Sequence, residues 1–178
     1  MTLPRILGRH FAGLAAIACG LVMLGAGSPA QAQGDSPVVG SWKTQNGTEV
    51  TIAPCGTNYC GNLSWVVIPK DYTSVCEQDK AAFGAQMLDV NNENKSLRTR
   101  KILGMQMLTL KPSGDPRTFN ATIYNAEDGK TYDGVVWVVN SDKTLRLGGG
   151  CLGQICVVTQ DWPRVPTRDN TPDFSCGG

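Results

Sequence analysis

Residues 131–147 read TYDGVVWVVNSDKTLRL, and this stretch decides the fold. β-Branched and aromatic residues dominate Thr131 to Val139, Asn140-Ser141-Asp142 supplies turn chemistry, and Thr144 to Leu147 resumes the pattern. Strand, turn, strand is the reading. Moving upstream, Phe119 to Tyr124 precedes Asp128-Gly129, the pair favoured where φ must be positive. Met105 to Lys111 is followed by the turn residues Pro112-Ser113-Gly114-Asp115-Pro116. Earlier still come Val38 to Lys43, Thr48 to Ala53, and Leu63 to Ile68, which Pro69 ends. Downstream lies Val157 to Trp162. About eight strands at intervals of roughly 8 to 15 residues predict an antiparallel barrel or sandwich and argue against alternating βαβ units.

One segment departs from the pattern. Glu77 to Leu88 carries Ala81, Ala82, Phe83, Ala85 and Met87 in a weak helical period that Gly84 interrupts. A short helix over the barrel's open end and a long loop held by Cys76 both fit Ser74 to Arg100. A barrel of about eight strands either fills with side chains or holds one small ligand. Val50, Ile52, Trp65, Val67, Met107, Leu108, Ile123, Trp137 and Val139 read as core by default, but a pocket lined by the same residue types would look identical.

Residues 1–32 have the three parts of a cleavable export signal: Arg5 and Arg9, an apolar stretch from about Phe11 to Ala26, and the triplet Ala30-Gln31-Ala32. Glycines and Ser28-Pro29 make the apolar stretch short for a permanent span, and lipidation at Cys19 is the weaker alternative. Residues 33–165 then form the domain and 166–178 a tail tethered through Cys176. A periplasmic location is expected, with secretion the alternative and no stable membrane insertion after cleavage. Removing 32 of 178 residues leaves 146, enough for one domain with a sizeable core. Fourteen basic residues then face 15 acidic ones, a net charge of about −1 that offers no argument for nucleic acid.

Cleavage also removes His10, the sole histidine, and leaves six cysteines. The missing imidazole excludes Ser-His-Asp and Cys-His catalysis and the usual zinc sites. Six thiols allow 15 pairings. Two Cys-x4-Cys units suggest the simplest solution: Cys55 with Cys60, Cys151 with Cys156, and Cys76 with Cys176. Structural bridges suit an oxidising compartment, with a metal cluster or a catalytic dithiol as the competing readings. No cofactor or metal is implied.

The landmarks together resemble the bacterial exported domains of the DUF2147 family. They are Gly40-x-Trp42; Ile52-Ala53-Pro54-Cys55 with Cys60-Gly61; Asp89-x-x-Asn92 leading to Leu97-Arg98-x-Arg100 and Gly104; Tyr124-Asn125 with Asp128-Gly129-Lys130-Thr131-Tyr132; Leu152-Gly153; and Gln160-x-Trp162-x-Arg164. The resemblance implies an all-β fold, a small disulfide-stapled, lipocalin-like antiparallel barrel, more firmly than any role. The chain departs from the family at Glu93, Asn94 and Lys95, where prolines and an aspartate are usual, and the Cys76 and Cys176 pair is an addition. In such barrels a first-strand tryptophan closes the base under an arginine that follows the last strand, which implies a structural role for Trp42 and Arg164.

Two polar clusters are candidate ligand sites. Asp89, Asn92, Arg98 and Arg100 form one, and two arginines one residue apart on an extended segment would point to the same side and clamp an anion. Alternatively Asp89 and the arginines pair with each other to pin the loop. Tyr124, Asp128, Lys130 and Tyr132 form the second cluster, which a hairpin turn with cross-strand aromatics also explains. The expected function is a non-catalytic binding module for a small hydrophobic or anionic amphipathic molecule, with Asp89 to Arg100 at the barrel mouth. The alternatives are a filled barrel that docks on an envelope protein, and a glycan enzyme using Asp89 with Asp128, Glu127 or Glu93.

Overall fold

The computed structural model describes residues 36–68, 70, 87–153, 155–168 and 173–176. Nine strands follow in order: β1 (Gly40–Lys43), β2 (Glu49–Cys55), β3 (Asn58–Ile68), β4 (Gln106–Pro112), β5 (Thr118–Asn125), β6 (Lys130–Val139), β7 (Thr144–Leu152), β8 (Ile155–Val165) and β9 (Asp173–Cys176). Strands β1 to β8 make a closed antiparallel barrel, in which every neighbour is also a sequence neighbour except the closing pair, β1 with β8. Short turns impose this meander. Asn140, Ser141 and Asp142 all take positive φ, as the linker between β6 and β7 requires, and Gly129 does so between β5 and β6.

Beyond β8 the described residues add one more strand. β9 runs parallel to β3, pairing Trp65 with Asp173 through Ile68 with Cys176, while Trp65 also faces Glu49 of β2. β9 therefore occupies the edge of β3 that β4 leaves after Asn62. Arg168 reinforces it, forking onto the buried Glu49 carboxylate at 2.8 and 2.9 Å and lying 3.7 Å over the Trp65 ring. Cys55–Cys60 and Cys151–Cys156 are disulfide-bonded, one beside each of two hairpin turns. Cys176 is also disulfide-bonded, but the expected Cys76–Cys176 pair lies outside the described residues. So does the helical pattern over 77–88, apart from Met87 and Leu88.

The barrel interior is filled. Trp42, Val50, Ile52, Tyr59, Leu108, Leu110, Phe119, Val136, Leu145 and Trp162 belong to one continuous buried cluster, with Tyr59 and Phe119 edge to face at 5.5 Å. Each large apolar side chain buried in this way contributes about 1.5–3 kcal/mol. Several residues expected in the core lie elsewhere. On β3 the buried positions are Tyr59, Gly61 and Leu63, then Val66 and Ile68, because a bulge opposite Glu49 and Val50 shifts the inward phase by one residue. Trp65 and Val67 are thereby turned outward, and Met107, Trp137 and Val139 alternate with buried neighbours and are half-buried on the outer wall.

Closure is narrow. Only Ser41 with Val165 and Trp42 with Arg164 join β1 to β8. Arg164 holds this seam: its guanidinium carbon lies 4.0 Å over the Trp42 ring, Nε donates to the Asp142 carbonyl at 2.7 Å, and Nη1 donates to the Val39 carbonyl at 2.8 Å. Nη2 donates to the Pro37 carbonyl. Burial pulls the Arg164 pKa below the usual arginine value, and these acceptors together with the Asp142 carboxylate offset that cost. Gly40 makes room for the head group: it has φ 132°, and a Cβ there would lie 2.3 Å from Arg164 Nη1. Replacing Arg164 by Ala is expected to cost about 3 kcal/mol, and Arg164→Lys nearly as much, because an ammonium cannot span three carbonyls. Denaturant unfolding checks this, and a loss under 1 kcal/mol for the alanine variant contradicts the assigned role.

Candidate functional site

Between β3 and β4 the chain makes a compact loop whose ends are bridged, Leu88 pairing with Lys101. Asp89 N donates to the Arg100 carbonyl and Ile102 N to the Met87 carbonyl, both at 2.9 Å. This is an Ω-loop with a single 3-10 turn, Lys95–Leu97, capped by the Asn94 side chain. It docks on the β5–β6 hairpin. Asn91 Nδ2 donates to the carbonyls of Ala126 and Glu127, and Glu93 N donates to that of Gly129. The glycine is obligatory, since a Cβ at Gly129 would lie 1.8 Å from the Asn91 carbonyl oxygen.

Asp89 is the loop's fully buried centre. Its Oδ1 accepts from Tyr124 Oη at 2.5 Å, and its Oδ2 accepts from Asn92 Nδ2 at 2.8 Å and from Arg100 Nη2 at 2.6 Å. Asn92 Nδ2 also donates to Tyr124 Oη at 2.8 Å, and Arg100 lies 5.1 Å over the Tyr124 ring. Burial alone would raise the Asp89 pKa, but the bonds from Tyr124, Asn92 and Arg100, with the arginine's charge, hold it below the usual carboxylate value. Burial and the bond to Asp89 push the Tyr124 phenol up.

The eight candidate residues therefore regroup. Asp89, Asn92 and Arg100 meet Tyr124, which sequence grouping had placed with Asp128. Arg98 does not join Arg100 in a clamp: it follows the 3-10 turn with helical backbone angles, is exposed, and its Nε donates to the Asn92 carbonyl at 2.8 Å. Side-chain alternation needs an extended segment, and this one is folded into a turn. Asp128 accepts from Tyr132 Oη at 2.5 Å and from Lys130 N at 3.0 Å, and the tyrosine's bond in particular lowers its pKa. These three residues are exposed at the hairpin end.

The loop sits at the barrel end that also carries the β1–β2 and β5–β6 turns, where Asn46 Nδ2 donates to Glu127 Oε1 at 2.7 Å and where Met87, Ile102 and Leu103 at the loop's base pack against the core. Inward positions beside it are taken by Leu108, Leu110, Phe119 and Ala121, so its polar part packs against the outer wall. Between the two lies an open groove of about 500 Å³, lined by Asn92, Asn94 and Arg100 from the loop and by Met107, Thr109, Thr122 and Tyr124 from β4 and β5. The threonines and Met107 escape sequence analysis because outward strand residues carry no motif; their alternation with Leu108 and Ala121 is the available signal. A second concavity of about 430 Å³ lies further along the wall, over β5 to β8, around Trp137, Arg117 and Arg146. Its arginines are matched by acids, Arg146 forking onto Asp161 at 2.7 Å and Arg117 pairing with Asp142.

A bacterial family described as uncharacterised and conserved in bacteria, DUF2147, matches residues 40–164, which include both ends of the barrel seam and the whole loop. The chain belongs to the DUF2147 family. In this DUF2147 chain the motif residues Asp89, Asn92, Arg100, Tyr124 and Gly129 prove to be parts of one contact. A Helicobacter pylori protein described as belonging to the lipocalin family has a similar structure, with a TM-score of 0.51 and 20% identity over 72% of this chain and 82% of its own. That likeness is one of fold: the DUF2147 barrel is lipocalin-like. Comparison with curated proteins finds no match. Among the described residues no helix is long and apolar enough to cross a membrane, and no group of three or more His, Cys, Asp or Glu side chains is placed to hold a metal ion.

Because the Asp89 pKa is lowered on folding, its stabilising contribution is fully present above about pH 4, the unfolded value, and is lost as pH falls through the folded value. Asp89→Asn is expected to lose about 2–3 kcal/mol at neutral pH, a fall in Tm of roughly 8–12 °C, and to show a shallower decline in Tm below pH 4. Thermal melts between pH 2 and pH 7 check both. Parallel acid limbs in the two proteins would remove Asp89 from the account.

Proposed function

We propose that this chain is an exported, non-catalytic binding module that takes a small amphipathic molecule on the outer wall of its barrel, in the groove under the Asp89–Arg100 loop. The carrying observation is that groove's composition. Its wall combines Met107 with the hydroxyls of Thr109 and Thr122, and it ends on Tyr124 and Arg100, whose positions Asp89 holds. A volume of about 500 Å³ lies in the range of roughly 300–1,000 Å³ typical of small-molecule sites. Arg100 keeps 34% of its side chain exposed, but Asp89 balances its charge, so recognition rests on hydrogen bonding more than on net charge. This favours a polar head group with a short apolar portion over a strongly anionic ligand.

Export is supported by the signal-like residues 1–32 and by the disulfide-bonded state of Cys55, Cys60, Cys151, Cys156 and Cys176, since such bridges persist in oxidising compartments. A non-catalytic role is supported by the acids. Asp89 is buried and held as a carboxylate, and Glu93 is the sole acid among the described residues that line the groove, so among them no acid pair lines this groove. The filled interior favours a second reading, a module whose outer surface docks on an envelope protein.

Native mass spectrometry of mature protein from periplasm, followed by organic extraction, tests the first reading. A stoichiometric adduct of a few hundred daltons is expected, and Thr122→Trp, which fills the groove, should abolish it with Tm unchanged. A clean apo mass for the parent protein, or an adduct that survives the blocking substitution, overturns the groove assignment and favours the docking reading.

A further inference from the structure

The β7–β8 hairpin outruns the barrel. β7 pairs with β6 only as far as Gly149, yet continues with β8 to the pair Leu152 and Ile155. β8 in turn meets β1 only at Arg164 and Val165. Among the described residues no strand pairs with the other edge of β8 between Ile155 and Trp162. At the hairpin's tip the side chains are apolar and in water: Leu152 of β7 is 87% exposed, and Ile155 81%, Val157 85% and Val158 58% on β8, before the polar Thr159 and Gln160.

Monomeric sheet proteins guard such an edge with a lysine, a proline or a very short strand. None of these devices is present. From Leu147 to Gln160 the sequence holds no charged residue and no proline. The first charge, Asp161, is already matched by Arg146, and Pro163 comes only where pairing with β1 is about to begin. The hairpin is also pre-organised, because the β7 ladder and the Cys151–Cys156 bridge hold β8 extended.

We propose that the free edge of β8, from Ile155 to Gln160, pairs antiparallel with the same edge of a second copy to form a two-fold symmetric dimer. Two features select a second copy over another occupant. A two-fold contact sets a strand against itself, and a charge-free strand meets no like charge there. Leu152, Ile155 and Val157 share one face of the hairpin and Val158 lies on the other, so strand pairing at this edge is flanked by an apolar face of roughly 400 Å² per copy, the scale of a functional patch. Two such faces, together with the two strand edges that become paired, approach the roughly 1,000 Å² that a specific interface needs. A bilayer suits the edge less well, because hydrocarbon cannot satisfy its unpaired backbone groups, whereas a partner strand can. The inference is independent of the groove reading, since the groove is built by β4, β5 and the Ω-loop.

Sedimentation velocity on the full mature domain, disulfides intact, from about 1 to 100 µM tests the dimer. The parent protein should move from one to two subunit masses across that range. Val157→Lys should stay at one mass with Tm unchanged, its side chain being exposed, while Tyr132→Lys, on another hairpin, should still dimerise. Amide exchange at residues 155–160 should slow with rising concentration in the parent and in Tyr132→Lys, but not in Val157→Lys. A parent that remains monomeric at 100 µM overturns the proposal, as does a dimer that survives Val157→Lys together with Ile155→Lys. A monomer that instead floats with phosphatidylcholine vesicles, losing that property in Val157→Lys, overturns it in favour of a membrane partner.

Discussion

Everything inside this barrel depends on one guanidinium. The seam between β1 and β8 has two residue pairs, and Arg164 makes it a closed wall by reaching Pro37, Val39 and Asp142 while covering Trp42. A desolvated charge is costly, and the cost is met by three carbonyl dipoles and an indole face. Gly40 takes part by lacking a side chain. Residues separated by more than 120 positions thus form one device, which explains why Gly-x-Trp near the start of the domain and Trp-x-Arg near its end belong together.

Closure separates an inside from an outside, and here the inside is fully used for packing. Trp42, Tyr59, Phe119 and Trp162 occupy the space a ligand would need. Any recognition therefore falls to features carried outside: the Ω-loop on its hairpin and the strands that outrun their neighbours. The loop's polar centre does not float over the wall. The bond from Tyr124 to Asp89, those from Asn91 to the Ala126 and Glu127 carbonyls, and the bare backbone of Gly129 hold it against β5 and the β5–β6 turn, which makes the groove beside it a formed surface.

Strand positions were legible in the sequence because turn chemistry bounds them: Asp128-Gly129, Asn140-Ser141-Asp142 and the proline-flanked Ser113-Gly114 each mark a hairpin. The two local cysteine pairs were legible for the same reason, their partners lying across short turns. Facing was less legible. Both surfaces of β3 and β6 carry apolar residues, and the bulge near Ser64 reverses the alternation between Leu63 and Val66, so Trp65 and Val67 read as core although they point outward. The site was half legible. Asp89, Asn92 and Arg100 are close in sequence, but Tyr124 joins them across 35 residues, a distance at which only the fold supplies a contact. Arg98 was misgrouped because a single turn, Lys95–Leu97, breaks the extended geometry that its spacing implied.

The two hairpin bridges also bear on how the chain reaches its native thiol pairing. Each joins cysteines five positions apart, across a turn that forms from neighbouring residues alone. Loops of this length close within tens of nanoseconds, and their closure entropy is small beside that of a hundred-residue loop. Four of the chain's seven thiols thus meet their native partners by local diffusion, before any strand has found its place in the barrel. For these two bridges the spacing removes the combinatorial choice kinetically, and their oxidation can precede folding.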